Sequence, residues 1–293
     1  MTIEAKIVCD SLAENGVRLT TFVLKYPRFI HSEFMTHRDF SRNASSSRAI
    51  PVKKQIEMVK QDMAVPLEFR KNKAGMQAGE LLEDQEAARE IWIESGFKAI
   101  EFASKMADME IHKQYANRIL EPYSHISVVV SATRWANFFA LRYHHAAQPE
   151  IAELARQMFE TYQKGQPKIL KEGEWHLPFV SNQEILNETT RQGCPASSAD
   201  FDWQSLIKKS VARCARVSYL NHEGKQPSED EDFKLYNRLL GDQPIHASPA
   251  EHQGTPLSSA DWHDGNFHGW RQYRKTLKNE YIEKFKEPLV WQK

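Results

Sequence analysis

Residues 34–51 read Phe-Met-Thr-His-Arg-Asp-Phe-Ser-Arg-Asn-Ala-Ser-Ser-Ser-Arg-Ala-Ile-Pro, and this stretch constrains the chain most. A strand-like apolar run precedes it (Phe22, Val23, Leu24, then Phe29 and Ile30), and Pro51 closes it. Within thirteen positions it places Thr36, His37, Arg38, Ser41, Asn43, Ser45, Ser46, Ser47 and Arg48. Two cations and a cluster of hydroxyls on a turn-forming segment suit an oxyanion. Arginine offers a planar fork of donors, and small serines let backbone N–H groups approach a phosphate. The alternative on composition alone is a solvated Ser-rich loop.

The flanking pattern predicts an α+β chain: a small mixed or antiparallel sheet packed with long helices. Residues 3–9 and 17–25 alternate as two strands around a Glu14-Asn15-Gly16 turn, a hairpin that feeds the segment. Lys53 to Met63 has helical spacing and stops at Pro66; residues 71–79 read as a loop. A long helix is expected from Glu83 to Asn117, broken near Gly96, with Ala88, Ile91, Ile93, Phe97, Ile100 and Phe102 turned inward. Val128 to Val130 favour extended backbone, and Ala132 to Ala140 turns helical. Pro149 predicts a kink or a fresh helix start, because proline lacks an N–H. Residues 164–201 lack periodicity and read as a linker or irregular crossover with one embedded piece near Ile185. A helix follows over 202–217 with Leu206, Ile207, Val211, Cys214 and Ala215 inside. Ser228 and Glu231 form a capping box for the next helix, which Gly241 closes.

Bulk properties exclude several classes. Lys+Arg and Asp+Glu are both 39 in 293 residues, so the balanced charge argues against a generic nucleic-acid or membrane binder. Cys9, Cys194 and Cys214 are too few and scattered for a disulfide framework or a zinc site, which fits a reducing, cytoplasmic setting. His144 and His145 point about 100° apart on a helix and would not share one metal ion, so no metal is expected. No signal peptide and no membrane span is read.

Three blocks carry a resemblance to a known family. Thr36-His37-Arg38, seven residues, Ser46 and then Arg48 follow the Arg-His-Arg signature of flavin-dependent thymidylate synthases, with Ser41 and Asn43 also matching. Thr36 stands where that family has its first Arg, Ala44 where a Glu is usual, Ala49 where an aromatic is usual and Glu33 where a nucleotide-binding Gln is usual. The second block, Asn137, Leu141-Arg142 and Ala147-Gln148-Pro149-Glu150-Ile151, resembles the family's C-terminal helix, with Ala146 and Ala152 replacing a His and an Arg. The third, Ala-Arg-Val-Ser-Tyr at 215–219 and then His246, Ser248, Pro249, Glu251 and His252, comes before the signature in the family and last here. The chain thus resembles a circularly permuted member. It divides into a signature-containing part at 1–165, a linker or crossover at 166–201 and a permuted N-terminal-like part at 202–293, all in one globular unit.

The resemblance implies reductive methylation of dUMP to dTMP, with methylenetetrahydrofolate as carbon donor, FAD as hydride carrier and NADPH as reductant. It implies a homotetramer with active sites shared between subunits. By position, His37, Arg38, Arg142 and Ser248 would contact FAD. Ser46 and Arg48 would hold the nucleotide phosphate, with Ser45 and Ser47 as nearby donors, and His125 would partly cover the role of a family Arg. Arg271, Gln272 and Arg274 resemble the family's Arg-Gln-aromatic-x-Arg run and would replace what is lost at Glu33 and Thr36. The competing reading there is an amphipathic surface helix with Trp270, Tyr273 and Leu277 inward. The family's uracil-activating Arg lies beside Ala152 here. Glu33 could accept from a cytosine N4 amine, so a flavin- and folate-dependent C5 methyl- or hydroxymethyltransferase on dCMP or another pyrimidine nucleotide stays open. So does a nucleotide- or RNA-binding remnant that has lost its flavin.

Overall fold

The hairpin forms where its turn residues place it. In the computed structural model, which describes residues 2–75, 77–218, 227–241 and 244–282, β1 (Glu4–Ala13) pairs antiparallel with β2 (Arg18–Pro27). Gly16 closes the turn at φ +87°, a left-handed conformation that glycine adopts without strain. β3 (Ser41–Ala44), β4 (His125–Ala132) and β5 (Lys168–Leu170) complete a five-stranded sheet in the order β3-β4-β2-β1-β5. Only the β1–β5 pair is parallel. The helices are α1 (His31–Met35), α2 (Val52–Gln61), α3 (Gln85–Asp108), α4 (Lys113–Ala116), α5 (Ala136–Arg142), α6 (Pro149–Lys164), α7 (Asn182–Gln192), α8 (Gln204–Ser218) and α9 (Glu229–Leu240). Short strands β6 (Gly254–Pro256), β7 (His263–Asp264), β8 (Phe267–His268) and β9 (Trp270–Gln272) follow. The fold is thus α+β. Among the described residues no helix is long and apolar enough to cross a membrane.

Strand alternation gives the sheet two different faces. Phe22, Leu24, Tyr26, Ile126, Val128 and Val130 point to one side and are buried under Phe34, Phe40, Trp135, Phe138, Ile151, Leu154 and Met158. The aromatic rings meet tilted or edge-on, Phe40–Trp135 at 4.6 Å and Phe34–Phe138 at 5.8 Å and 80°, which suits their quadrupoles. α6 begins at Pro149 as its first helical residue, where the missing N–H has no partner to lose. The other face presents small polar groups, Thr21, Ser41, Asn43 and Ser131, and the chain beyond residue 170 covers it. α8 lies against β3 and β4 and makes a second core with α9 through Leu206, Ile207, Val211, Leu235 and Leu239. Both capping boxes, Ser181–Glu184 on α7 and Ser228–Glu231 on α9, are formed. Tyr219, the last residue of the third motif's first half, lies outside the described residues.

Two expectations need correction. α3 runs unbroken through Gly96 and ends at Asp108, and its buried stripe is Gly96, Ile100 and Ala103. One glycine costs only about 1 kcal/mol in a helix interior. Here it serves close packing, since a Cβ would sit 2.6 Å from the Met63 sulfur and 3.1 Å from the Tyr123 ring. Ile91, Phe97 and Phe102 are 69%, 54% and 56% exposed rather than inward. Residues 166–201 follow the crossover alternative, with the embedded piece near Ile185 forming α7: β5 extends the sheet, and His176 and Leu177 are buried. Residues 267–274 are not a helix; they form β8, β9 and a 3-10 turn, although Trp270 and Tyr273 do point inward.

The crossover carries one end of a buried polar chain. His176 Nδ1 bonds Ser11 Oγ and its Nε2 bonds Thr21 Oγ1, both at 2.8 Å. Thr21 shares a hydrogen bond with Ser131 at 2.6 Å, and Ser131 meets His252 Nδ1 at 2.9 Å. Burial holds both imidazoles neutral, with pKa values pushed down to about 3, and their mutual proximity adds to this for His176. The unfolded chain takes up these protons below about pH 6.5. Burial of the neutral rings therefore carries no protonation penalty above that pH and becomes destabilising as pH falls below it. Urea unfolding should lose stability on the order of 1 kcal/mol per pH unit for each histidine between about pH 6 and pH 4, with His176→Gln giving a shallower slope than wild type. An unchanged slope in that variant would contradict the assignment.

Candidate functional site

The first and second motif blocks meet where α1 and α5 end. Arg42 donates through Nη1 to Met35 O and His37 O, both at 3.0 Å, satisfying carbonyls that the short helix leaves open. That fixes the turn carrying His37. Arg142 Nε donates to His37 Nε2 at 2.9 Å, and its Nη2 reaches Thr36 Oγ1 at 3.1 Å and Glu33 O at 3.5 Å. Thr36, standing where the family has an Arg, is thus an acceptor for the Arg of the second block. Because His37 Nε2 accepts, its proton sits on Nδ1. The ring stacks on Phe40 and meets Phe138 edge-on at 4.9 Å. Burial, and then the charges of Arg142 and Arg42, push its pKa down to about 4.

The third block meets the first across the polar face. Asn43 Nδ2 donates to Cys214 O at 2.9 Å in the last turn of α8, and Ser248 Oγ donates to Asn43 Oδ1 at 3.1 Å. Gln272, 2% exposed, donates from Nε2 to Ser41 Oγ and to Glu251 O, both at 2.9 Å. Arg274 is held by Glu251 and by Glu280 at 3.4 Å, and exposed Arg271 faces Asp264 at 3.5 Å. Gln272 therefore reaches the signature strand with its amide donor engaged by the protein, whereas Arg274 is bound to Glu251 and Glu280 rather than to that strand.

Within the Ser-rich stretch the side chains divide by alternation. Ser45 and Ser47 are buried and structural: Ser45 Oγ accepts from Ser127 N at 3.1 Å, and Ser47 Oγ donates to Glu121 Oε1 at 2.6 Å. Ser46 is half-buried and Arg48 exposed, and among the described residues neither side chain has a partner. Arg38 is likewise exposed and unpartnered in the described chain, and the Glu33 carboxylate takes only the Ser32 hydroxyl at 2.9 Å. His125 is engaged on the far side of β4: its Nε2 accepts from Thr2 N at 3.3 Å and its Nδ1 lies 3.2 Å from Asp62 O. Arg28 and Arg118, which the sequence does not single out, converge on Glu121 at 3.3 Å and 3.1 Å, beside Ser47. Only the i,i+3 spacing of Arg118 and Glu121 hints at this in the sequence.

A cavity of about 740 Å³ opens in the stretch after α5, between Pro66, Glu68, Arg70, Gln77 and Ala78 on one side and residues 144–150 with Ala152 on the other. Glu150, 1% exposed, accepts from Leu67 N at 2.8 Å through one oxygen, and the other has no partner. His144 and His145 lie ring to ring at 4.2 Å on the cavity wall. The His37–Arg142 pair has a direct check. Arg142→Ala should move the His37 titration upward from about 4, read by NMR of the ring protons, because a neighbouring cation is removed. A midpoint that stays in place would mean that burial alone sets it.

Comparison with known proteins covers the first two of these blocks. No curated protein sequence matches the chain. Among solved structures, the UMP/dUMP methylase PolB from Streptomyces cacaoi bound with 5-Br dUMP is similar at 18% identity and a TM-score of 0.46, covering 56% of this chain and 90% of that one. The same protein bound with 5-Br UMP gives 18% identity and 0.45, covering 56% and 89%. Residues 17–168, just over half of the chain, match the family described as thymidylate synthase complementing protein. That span takes in the signature on β3, the strand β4, and α5 with Arg142, and on it the chain belongs to this family, the flavin-dependent thymidylate synthases.

Proposed function

We propose that the protein is a flavin-dependent pyrimidine nucleotide C5 methyltransferase that converts dUMP to dTMP, with methylenetetrahydrofolate as carbon donor and NADPH as reductant. The observation that carries this reading is the joining of His37 to Arg142 at 2.9 Å and of Ser248 to Asn43 at 3.1 Å, which ties the second and third motif blocks to the first from opposite faces of the edge strand β3. In the same reading, residues 212–253 are the family's N-terminal part carried to the end of the chain.

The donor set fits FAD. Arg38 offers an uncommitted guanidinium to an anionic group, and Arg142 presents a fork held in place by a neutral imidazole. FAD, when bound, supplies the hydride. The chain's own share is to bind and orient. Neutral His37 accepts from Arg142 and fixes its plane, Ser248 adds a hydroxyl, and Ser46 with Arg48 grips the nucleotide phosphate. The cavity walled by residues 144–150 of the second motif block has the size of a small-ligand pocket. Cys9 and Cys214 are poor thiolate nucleophiles, because burial pushes the Cys9 thiol up to about 12 and the Cys214 thiol up as well. Ile91, Phe97, Phe102 and Met109 stay exposed along α3, which supports self-association and sites completed by a second subunit.

The test begins with colour. The purified protein should absorb near ~450 nm, since isoalloxazine chemistry belongs to the cofactor, and with the folate and NADPH it should yield dTMP from dUMP. Arg38→Ala should lose flavin on gel filtration. Arg48→Ala should keep flavin and raise the KM for dUMP by about tenfold or more. Turnover of dCMP and not dUMP would replace the substrate assignment, with Glu33 as the residue to change next. A colourless protein that turns over neither nucleotide would refute the proposal.

A further inference from the structure

We propose that Asn117 is a positioning residue that holds the Ser47 and Ile50 carbonyls, at the Ser46–Arg48 corner, away from the bound phosphate. The inference rests on the reading of that corner as the nucleotide's phosphate site. The corner is a 3-10 turn, Ser47–Ala49, entered through extended backbone at Ser46 and left through extended backbone at Ile50. A turn this tight brings carbonyls and N–H groups close together, and a carbonyl oxygen facing a phosphate would repel it.

Asn117 follows α4 and is 1% exposed. Its Nδ2 donates to Ser47 O at 2.7 Å and to Ile50 O at 2.8 Å, clamping both ends of the turn with one side chain. Its Oδ1 is buried without a partner. An orphaned buried acceptor costs about 1–3 kcal/mol. Flipping the amide would aim that oxygen at two carbonyls, so the clamp is only possible in this orientation. Neighbouring groups pull the same way. Ser47 Oγ donates to Glu121, Lys113 Nζ donates to Ala49 O at 3.2 Å, and Arg28 Nη1 reaches Ser45 O at 3.5 Å.

The carbonyls of Ser45, Ser47, Ala49 and Ile50 are all taken by this one wall, built from Arg28 and residues 113–121. The side chains of Ser46 and Arg48, which alternate with the buried serines, are left facing outward with their donors free in the described chain. Asn117 itself touches no ligand in this arrangement; it acts through the turn. The prediction is therefore specific to the charged end of the nucleotide and not to its base.

Calorimetry with dUMP and with deoxyuridine, which lacks the phosphate, separates the two. Asn117→Ala should weaken dUMP binding by about tenfold and deoxyuridine binding by less than about twofold, with flavin content unchanged. Asn117→Ser, whose hydroxyl can donate to at most one of the two carbonyls, should shift the ratio of the two affinities in the same direction by a smaller factor, and decides the matter if Asn117→Ala does not fold. Equal weakening of both ligands, or unchanged dUMP affinity in a folded variant, would overturn the role of Asn117 and leave the phosphate site standing. Wild-type protein that binds neither ligand would overturn the phosphate site and the clamp together.

Discussion

A sheet face lined with hydroxyls and an amide cannot be covered by an ordinary apolar helix surface. Each buried polar group left without a partner would cost about 1–3 kcal/mol. Thr21, Ser41, Asn43 and Ser131 form such a face, and their partners come from far along the chain: His176, Gln272, Ser248 with Cys214 O, and His252. The requirement is mutual. His176 and His252 are fully buried, and hydrogen bonds to the hydroxyls of Ser11, Thr21 and Ser131, at both nitrogens of His176 and at Nδ1 of His252, lower the cost of that burial. The second half of the chain is thereby held to the first by directional bonds, and the apolar core around α8 and α9 is carried into register with β3 and β4.

From that docking the rest of the site follows. Ser248 arrives over Asn43 because the turn before β6 must deliver His252 to Ser131. Gln272 arrives over Ser41 because β9 pairs with β6, Gly254 opposite Gln272. The crossover at 166–201 must then be packed rather than loose, since it has to bring His176 beneath Thr21 while its backbone pairs with Gly254 at 2.8 Å and 3.3 Å. On the opposite face, aromatic packing plays the matching role, wedging His37 between Phe40 and Phe138 so that its free nitrogen meets Arg142.

What the sequence makes legible is whatever depends on local rules. The Gly16 turn, the helix start at Pro149, the capping box at Ser228 and the inner face of α8 are all decided within a few residues of themselves. The motif spacings identify the segments that meet at the site. Periodicity fails on α3 because it finds an apolar stripe without saying what the stripe faces. Ile91, Phe97 and Phe102 look out, while Gly96 and Ala103, small and unremarkable in sequence, make the contact. Composition fails at the Ser-rich corner for a related reason. Ser45, Ser46 and Ser47 are chemically identical, and only the pleat and the distant Glu121 and Ser127 separate two structural hydroxyls from one available donor.

The same separation bears on where a chain with balanced charge leaves its arginines unpaired. Arg142, Arg213, Arg216 and Arg274 are drawn into bonds with histidine or carboxylate groups. Arg38 and Arg48 stay exposed on the signature segment, and among the described residues neither is paired with a carboxylate. His37 adds no charge there, because burial beside Arg142 keeps it neutral. A protonated His37 would repel Arg142 and break the bond that orients it. Neutrality at that one ring therefore lets two arginine-bearing segments, from α5 and from the turn after α1, lie side by side, and the site's cationic character rests on a histidine that carries no charge.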